Sequence, residues 1–268
     1  MIVTRARQAA RAAGFLGLTA VMIPLYVGRD TLTKPHDRDA VRDRWVKRWA
    51  SGLLSLFDVR VEPIDPVTPP PDGVGRLIVS NHRSAIDIGV LLQTFGGRMV
   101  SKADLSGWPV VGAAARSVGT VFVERGDAKS GAQTIRAIRD LLRAGQTIVI
   151  FPEGTTFAGD EVRPFQPGSF LSATNTGAEV LPIGLAYEEG SDAAFVGETF
   201  PQHLARMAAS PNPTRVRLAI GEAIRTEKAT KAAALAELSH AAVERAVTRA
   251  RASFGPRTSE GPKPSISS

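Results

Sequence analysis

Short apolar runs alternate with helical patterns along the middle of the chain. The runs are rich in β-branched side chains and four to eight residues long, as buried strands are. They lie at residues 76–80, 98–101, 120–123, 147–151, 180–187 and 215–220. Residues 130–144 carry apolar side chains at helical spacing and end before Gly145, a typical helix C-cap. The alternation predicts an α/β fold with a central, mostly parallel sheet flanked by helices.

The longest uncharged stretch lies near the N-terminus, at residues 12–28. As a helix it would be about 26 Å long, just short of a comfortable membrane span. Basic residues flank both sides of the stretch, which favours both ends staying on the cytoplasmic side of a membrane. A signal peptide and a buried core helix are the alternatives. No small-residue cleavage site follows the stretch, which counts against the first.

Residues 36–57 form a second amphipathic pattern. Its apolar stripe consists of Val41, Trp45, Trp49, Leu53 and Phe57. A tryptophan-bearing stripe beside a basic polar face indicates a helix at a membrane interface. An amphipathic helix packed on a domain gives the same pattern. Together with the uncharged stretch, these residues predict a membrane-associated helical hairpin.

The chain therefore divides into three predicted parts. Residues 1–57 form the hydrophobic and interfacial hairpin, and residues 58–254 form the α/β domain, which closes with an alanine-rich helix. A proline-rich segment at residues 62–75 bounds the domain, because five prolines exclude a helix interior. Residues 255–268 form a polar Gly/Pro/Ser tail, which we expect to be disordered.

Charge and composition narrow the possible partners. The 268 residues include 33 Lys and Arg against 26 Asp and Glu, a formal net charge of +7. Ten basic and four acidic residues lie in the first 50, beside the uncharged stretch, which favours the anionic cytoplasmic face of a membrane as the partner. The absence of cysteine excludes a disulfide scaffold, a cysteine-ligated metal site and a thiol nucleophile.

Polar clusters follow three of the predicted strands. They read NHRSAID at residues 81–87, ERG at 124–126 and PEGT at 152–155. In open α/β sheets the ligand lies outside the carboxyl ends of the strands. We therefore expect these clusters to form one pocket.

His82 and Asp87 are the candidate catalytic pair in that pocket. Histidine is a natural general base near neutral pH, and a carboxylate on its other ring nitrogen would fix its tautomer. The spacing of five suits a histidine just before a helix and an aspartate one turn inside it. A capping aspartate beside an incidental histidine is the alternative. Motifs of serine hydrolases, zinc hydrolases, phosphate-binding loops and dinucleotide sites are absent, and a nucleic-acid platform is poorly supported.

The sequence resembles a known family in five segments. NHRSAID, GTVFVERG, FPEGT and VLPIGLA occur in this order, and KADLSGWPVVGAAARSVG lies between the first two. They resemble the motif blocks of the glycerolipid acyltransferases related to 1-acyl-glycerol-3-phosphate acyltransferase. The resemblance covers about residues 77–186, and a hydrophobic N-terminal hairpin is also typical of that family.

The resemblance implies a mechanism and a set of site residues. His82 would deprotonate a lysolipid hydroxyl and Asp87 would orient His82, while acyl-CoA or acyl carrier protein supplies the acyl thioester as co-substrate. Arg125 would bind an anionic head group, Glu153 and Gly154 would shape the acceptor site, and Pro182 would help build the donor side. No metal and no cofactor are implied. The substrate-binding residues predicted in this way are Asn81, Lys102, Arg125, Glu153, Gly154, Thr155 and Pro182.

One position departs from the family pattern. Many phosphatidate-forming members have a basic residue after the threonine of the third block, whereas Thr155 is followed here by Thr156. Arg163 or Lys102 could supply the missing charge. The expected acceptor is 1-acyl-sn-glycerol-3-phosphate, giving phosphatidic acid at the cytoplasmic face of the inner membrane. Another lysolipid such as lyso-ornithine lipid is the alternative acceptor, and an inactive membrane lipid-binding protein is the alternative of another class.

Overall fold

The computed structural model describes residues 2–124, 126–157, 159–227 and 229–255. The strands in these ranges are β1 (Val59–Pro63), β2 (Arg76–Ser80), β3 (Arg98–Lys102), β4 (Val121–Val123), β5 (Thr147–Ile150), β6 (Glu179–Tyr187), β7 (Thr214–Ile220) and β8 (Ile224–Arg225). The α-helices are α1 (Ile2–Thr31), α2 (Arg38–Leu56), α3 (Asp87–Phe95), α4 (Val111–Ser117), α5 (Ala128–Arg143), α6 (Phe200–Ala209) and α7 (Ala232–Ala252).

The strands form one mostly parallel sheet in the order β1-β7-β6-β2-β5-β3-β4, with β8 paired to β6. The antiparallel pairings are those of β6 with β7 and with β8. Strand β2 lies between β5 and β6, and all five of its residues are buried. This burial on both faces explains why its sequence is a continuous apolar run. The predicted α/β fold is confirmed.

The two largest hydrophobic cores of the described residues lie on opposite faces of the sheet. Ile78 of β2 packs in the core that contains α2 and α3, whereas its neighbours Leu77 and Val79 pack with α5 and α7. The alternation follows from the two-residue period of a strand. Because β2, β3, β4, β5 and β6 run in one direction, their carboxyl ends share one edge. The polar clusters predicted to form a pocket follow three of these ends.

At Gly184 the backbone of helix α7 lies close to the sheet. A Cβ atom there would overlap the backbone of Ala246 and Val247, whereas one at Gly131 of α5 would meet no atom within 4 Å. Gly184→Ala is expected to lower the free energy of unfolding by about 3 kcal/mol, because two backbones would have to separate. Gly131→Ala, the control, is expected to raise it by roughly 0.5–1 kcal/mol. Chemical denaturation measures both, and equal effects would contradict the close approach.

Helices α1 and α2 form the predicted hairpin, and α1 begins well before the uncharged stretch. Among the described residues α1 is the one helix long and apolar enough to cross a membrane, over Val3–Thr31. The helices approach closely at Gly14, where a Cβ would lie 2.7 Å from Leu56 Cδ1. The exposed apolar side chains of α1 include Leu16, Val21, Leu25 and Val27.

The tryptophans of α2 face α1, which corrects the prediction of an interfacial stripe. Trp49 Nε1 donates to Thr19 Oγ1 at 3.1 Å, and the rings of Trp45 and Tyr26 lie 6.4 Å apart. An adjacent face of α2 is buried in the core of the domain through Val46, Ala50 and Leu54, and Trp49 also packs against this core. The alternative interpretation, an amphipathic helix packed on a domain, therefore describes α2. Of these two helices, α1 is the one that carries exposed large apolar side chains.

The remaining differences from the predicted layout concern short elements. Leu54, Phe57 and Val59 share one core, so the predicted boundary between residues 57 and 58 does not separate two cores. Strand β1 pairs only with β7 at the sheet edge and enters the segment read as a proline-rich boundary. Helices α4 and α6 were not predicted, although Thr199 and Gln202 form a capping box that begins α6. The predicted tail lies outside the described residues beyond Gly255.

Candidate active site

His82 and Asp87 form a hydrogen-bonded pair in the turn between β2 and α3. His82 Nδ1 lies 2.8 Å from Asp87 Oδ2, and Asp87 is fully buried whereas His82 is partly exposed. Because an ionised carboxylate can only accept, Nδ1 carries the proton and Nε2 is left with a free electron pair. Asp87 is the first residue of α3, whereas the spacing predicted that it lies one turn inside the helix. The geometry is that of a histidine general base oriented by a carboxylate.

Asp87 also organises the turn that carries His82. Its Oδ2 accepts from the backbone N–H groups of Arg83 at 2.6 Å and Ser84 at 2.8 Å. Its Oδ1 accepts from the hydroxyl of Tyr187 at the end of β6. Both carboxylate oxygens are therefore held inside the protein, and the direction of the bond to His82 is fixed.

Tyr187 is a site residue that sequence reasoning missed. Burial, and next the charge of Asp87, raise the pKa of its hydroxyl well above the ordinary value, so Tyr187 remains a donor at neutral pH. It is the last residue of the apolar run 180–187, and its position at the carboxyl edge of the sheet was the available signal.

Phe151 fixes the plane of the His82 ring. The two rings are stacked, with centroids 3.9 Å apart and an interplanar angle of 9°. Phe151 follows β5, the neighbour of β2, so adjacent strands deliver the two rings. Stacking and the bond to Asp87 together restrict the imidazole to one orientation.

Glu153 connects the loop after β5 to the turn between β2 and α3 (residues 81–86), which we call the catalytic turn. Its buried carboxylate accepts from Arg83 Nη1 at 3.0 Å, from the backbone N–H of His82 at 3.4 Å and from that of Arg163 at 3.3 Å. Burial raises the pKa of Glu153, and the positive charge of Arg83 opposes this shift. The sequence predicted that Glu153 lies near His82, and it does. Its carboxylate, however, is turned toward Arg83, a residue that was not predicted.

Breaking the ion pair of Arg83 with Glu153 is expected to destabilise the fold. Glu153→Gln should lower the free energy of unfolding by about 3–5 kcal/mol, because Arg83 keeps a buried charge without a counter-charge. Combining it with Arg83→Met should cost less than the sum of the two single changes, because no buried charge remains. Denaturant unfolding of the four proteins measures the coupling. Strictly additive effects would contradict a direct interaction.

Asn81 and Pro182 lie inside the sheet. The Asn81 amide donates to Leu185 O and accepts from Leu185 N, both at 2.9 Å, so its side chain extends the pairing of β2 with β6. Pro182 is buried in β6, and its carbonyl accepts from Gly221 N at 2.8 Å. These contacts give both residues a structural role beside the predicted substrate-binding one.

The other predicted substrate-binding residues lie nearer the surface. Gly154 adopts φ +80°, a left-handed conformation that favours glycine, in the turn after β5. Thr155 is exposed, and Lys102 is exposed at the end of β3, on the same sheet edge as His82. Arg125 lies outside the described residues. Substrate binding by these residues stays a prediction.

Comparison with known proteins decides the family. Residues 59–186 match the family model described as Acyltransferase. A lyso-ornithine lipid O-acyltransferase of Pseudomonas aeruginosa is 32% identical over 212 residues, which cover 76% of this chain and 80% of that protein. The chain belongs to the acyltransferase family. The resemblance seen in the motif blocks is thereby confirmed.

Other members of the acyltransferase family agree with this assignment. A 1-acyl-sn-glycerol-3-phosphate acyltransferase of Neisseria meningitidis serogroup B is 33% identical over 146 residues, 54% of this chain and 56% of that protein. The match thus spans little more than half of that relative. The crystal structure of the 1-acyl-sn-glycerophosphate acyltransferase PlsC from Thermotoga maritima covers 93% of this chain and 98% of its own, with a TM-score of 0.68 and 22% identity. This likeness supports the fold.

Proposed function

We propose that the protein is an O-acyltransferase that moves a fatty acyl group from an acyl thioester to the free hydroxyl of a lysolipid. The observation that carries the proposal is the His82–Asp87 pair at the carboxyl edge of the sheet, with Nδ1 bound to the carboxylate and Nε2 left to accept a proton. Membership of the acyltransferase family supports it.

The proposed reaction is a direct transfer with His82 as general base. The acceptor oxygen attacks the thioester carbonyl carbon while its proton passes to His82 Nε2. Asp87 stabilises the imidazolium that forms. The tetrahedral intermediate then collapses, the carbon–sulfur bond breaks, and the leaving thiolate takes the proton from Nε2. The products are a new ester and a free thiol, and these steps use no metal, cofactor or enzyme nucleophile.

We propose 1-acyl-sn-glycerol-3-phosphate as the acceptor, with phosphatidic acid as the product. The Neisseria relative is named for this acceptor. Lys102 and Arg163 would supply positive charge for a phosphate. Lys102 is exposed at the end of β3, and Arg163 donates its backbone N–H to Glu153 while its side chain lies 3.4 Å from Glu161. Arg125 would add a third cation.

Lyso-ornithine lipid is the second candidate acceptor. The Pseudomonas relative that bears this activity in its name matches 76% of this chain, against 54% for the Neisseria relative. Thr156 also stands where many phosphatidate-forming relatives have a basic residue.

We propose that the enzyme works at the cytoplasmic face of the inner membrane. Helix α1 presents exposed apolar side chains, and the basic excess of the chain is concentrated in its first 50 residues. Apolar burial and attraction to anionic lipids act together in such binding. Acyl-CoA or acyl carrier protein would deliver the donor from the aqueous side.

The acceptor is tested with purified protein in vesicles that contain one lysolipid at a time. Acyl-CoA and acyl-ACP are supplied in separate reactions, and thiol release is recorded with the lipid products. We expect faster turnover of 1-acyl-sn-glycerol-3-phosphate than of lyso-ornithine lipid. Turnover of lyso-ornithine lipid alone would overturn the first acceptor. No release with either acceptor would favour the inactive lipid-binding protein.

A further inference from the structure

A second histidine–carboxylate pair, His203 of helix α6 with Glu198, contacts the catalytic turn. His203 on α6 is fully buried, and its Nε2 lies 3.1 Å from Ser84 Oγ and 3.3 Å from the backbone nitrogen of Ala85. Its Nδ1 lies 2.8 Å from Glu198 Oε1. His203 thus contacts two of the residues between His82 and Asp87.

The partners of His203 define its tautomer. A backbone N–H only donates, so Nε2 accepts from Ala85 and Nδ1–H donates to Glu198. Arg206 also binds Glu198 Oε1, at 2.6 Å, and its Nη2 approaches His203 Nδ1 to 3.1 Å because both donors share that oxygen. Burial lowers the pKa of His203, in agreement with a neutral ring.

Ser84, His203 and Glu198 have the order of a serine-hydrolase triad, but the geometry points to another role. Ser84 has no exposed surface, so an acyl group cannot reach its hydroxyl. Nε2 of His203 already accepts from the Ala85 N–H, which leaves it poorly placed to act as a base. His203 instead stabilises the turn through its contacts with Ser84 and Ala85.

We propose that His203 is a positioning residue for the His82–Asp87 pair, an inference that rests on the acyl transfer proposed above. By anchoring the Ser84 hydroxyl and the Ala85 N–H, it fixes the turn whose other N–H groups, those of Arg83 and Ser84, bind Asp87 Oδ2. Without that anchor the turn can shift, and Asp87 loses its alignment with His82 Nδ1.

Helix α6, which carries His203, is itself held by α1. Arg7 Nη1 donates to Ala209 O at 3.0 Å, and Arg11 Nη1 donates to Met207 O at 3.1 Å and Ser210 O at 2.9 Å. Cations at a helix C-terminus interact favourably with the free carbonyl groups there. A continuous set of contacts therefore leads from the apolar helix through α6 to the catalytic turn.

The test compares His203→Leu, which removes the acceptor, with His203→Gln, whose Oε1 can replace Nε2. His203→Leu is expected to lower kcat about 10- to 100-fold, as misplacement of catalytic groups does, with KM changed less than about threefold. It should also shift the midpoint of the acidic limb of kcat against pH to lower pH, because the imidazolium loses part of its stabilisation. His203→Gln should restore the midpoint and most of kcat.

His240→Leu on α7 is the matched control. His240 Nε2 lies 3.1 Å from the Val162 carbonyl, so the change removes a comparable polar contact outside the turn. If His203→Leu does not fold, the decision rests on Ser84→Ala, which removes one of the two anchored groups and should lower kcat by up to about tenfold and move the midpoint to lower pH, whereas His203→Gln should keep the wild-type midpoint. A fall in kcat for His203→Leu no larger than for His240→Leu, or a midpoint that does not move, would overturn the proposal. So would an acyl-Ser84 adduct detected by mass spectrometry.

A second readout separates this inference from the proposed function. The ¹⁵N chemical shifts of histidine-labelled protein report the His82 tautomer without any substrate, and His82→Ala assigns its signals. We expect the Nδ1–H form in the wild type and a mixture of tautomers in His203→Leu. If the wild type transfers no acyl group, the proposed function fails, and these spectra still decide whether His203 orders the pair. An unchanged His82 spectrum in His203→Leu would show that it does not.

Discussion

His82→Ala is expected to lower acyl transfer about 10²- to 10⁴-fold, the usual contribution of a positioned general base. The variant keeps the turn, because Asp87 still binds the backbone N–H groups of Arg83 and Ser84 and the hydroxyl of Tyr187. The loss should therefore appear in kcat, with little change in the thermal midpoint. Initial rates with saturating acyl thioester measure it.

His36→Ala is the control for this prediction. His36 is exposed in a short 3₁₀ helix between α1 and α2, beside Asp37, and has no contact with the site. Its replacement should leave kcat unchanged. A His82→Ala rate within about threefold of the wild type would contradict the role of His82 as the base.

Asp87→Asn is expected to have the second large effect, a loss of about 10³- to 10⁴-fold, comparable with the same change in a histidine–aspartate pair of known proteases. The neutral amide cannot stabilise the imidazolium, and it has one accepting oxygen where the carboxylate has two. The donors on Arg83, Ser84, His82 and Tyr187 then compete for that oxygen. The free energy of unfolding should fall by roughly 1–3 kcal/mol.

Tyr187→Phe is the matched comparison for Asp87→Asn. It removes one hydrogen bond to the same carboxylate and leaves the charge and the bond to His82 in place. We expect its kcat to fall no more than about tenfold, the rate equivalent of one such bond. Rates and denaturant unfolding are measured for both variants. A larger rate loss in Tyr187→Phe than in Asp87→Asn would contradict the proposed division of roles.

Six strands could be predicted because each contains a short apolar run rich in β-branched side chains, and β2 and β6 are buried along their whole length. The run at residues 76–80 coincides with β2, and the other five predicted runs each overlap a strand with ends one residue or less away. Strand β1 alternates apolar and charged residues and ends in a proline, so it lacks that signal. For α2, periodicity reported an apolar face, but the sequence could not show that α1 and the domain core cover it.

The two catalytic candidates could be predicted because they lie five residues apart in one motif. Their supporting residues could not, because Tyr187 and His203 are about 100 and 120 positions along the chain from the turn that they contact. Only the order of the strands and the packing of α6 bring them there. Arg83 lies inside the motif, but its role depends on Glu153, which arrives from a neighbouring strand.

The central claim is a direct transfer between two substrates, and product stoichiometry tests it most directly. Purified protein is incubated in vesicles with an isotopically labelled acyl thioester and a lysolipid, and thiol, diacyl lipid and free fatty acid are quantified together. We predict one diacyl lipid for each thiol released and almost no free fatty acid. Thiol release that is matched by free fatty acid, or that proceeds equally without the lysolipid, would contradict the account.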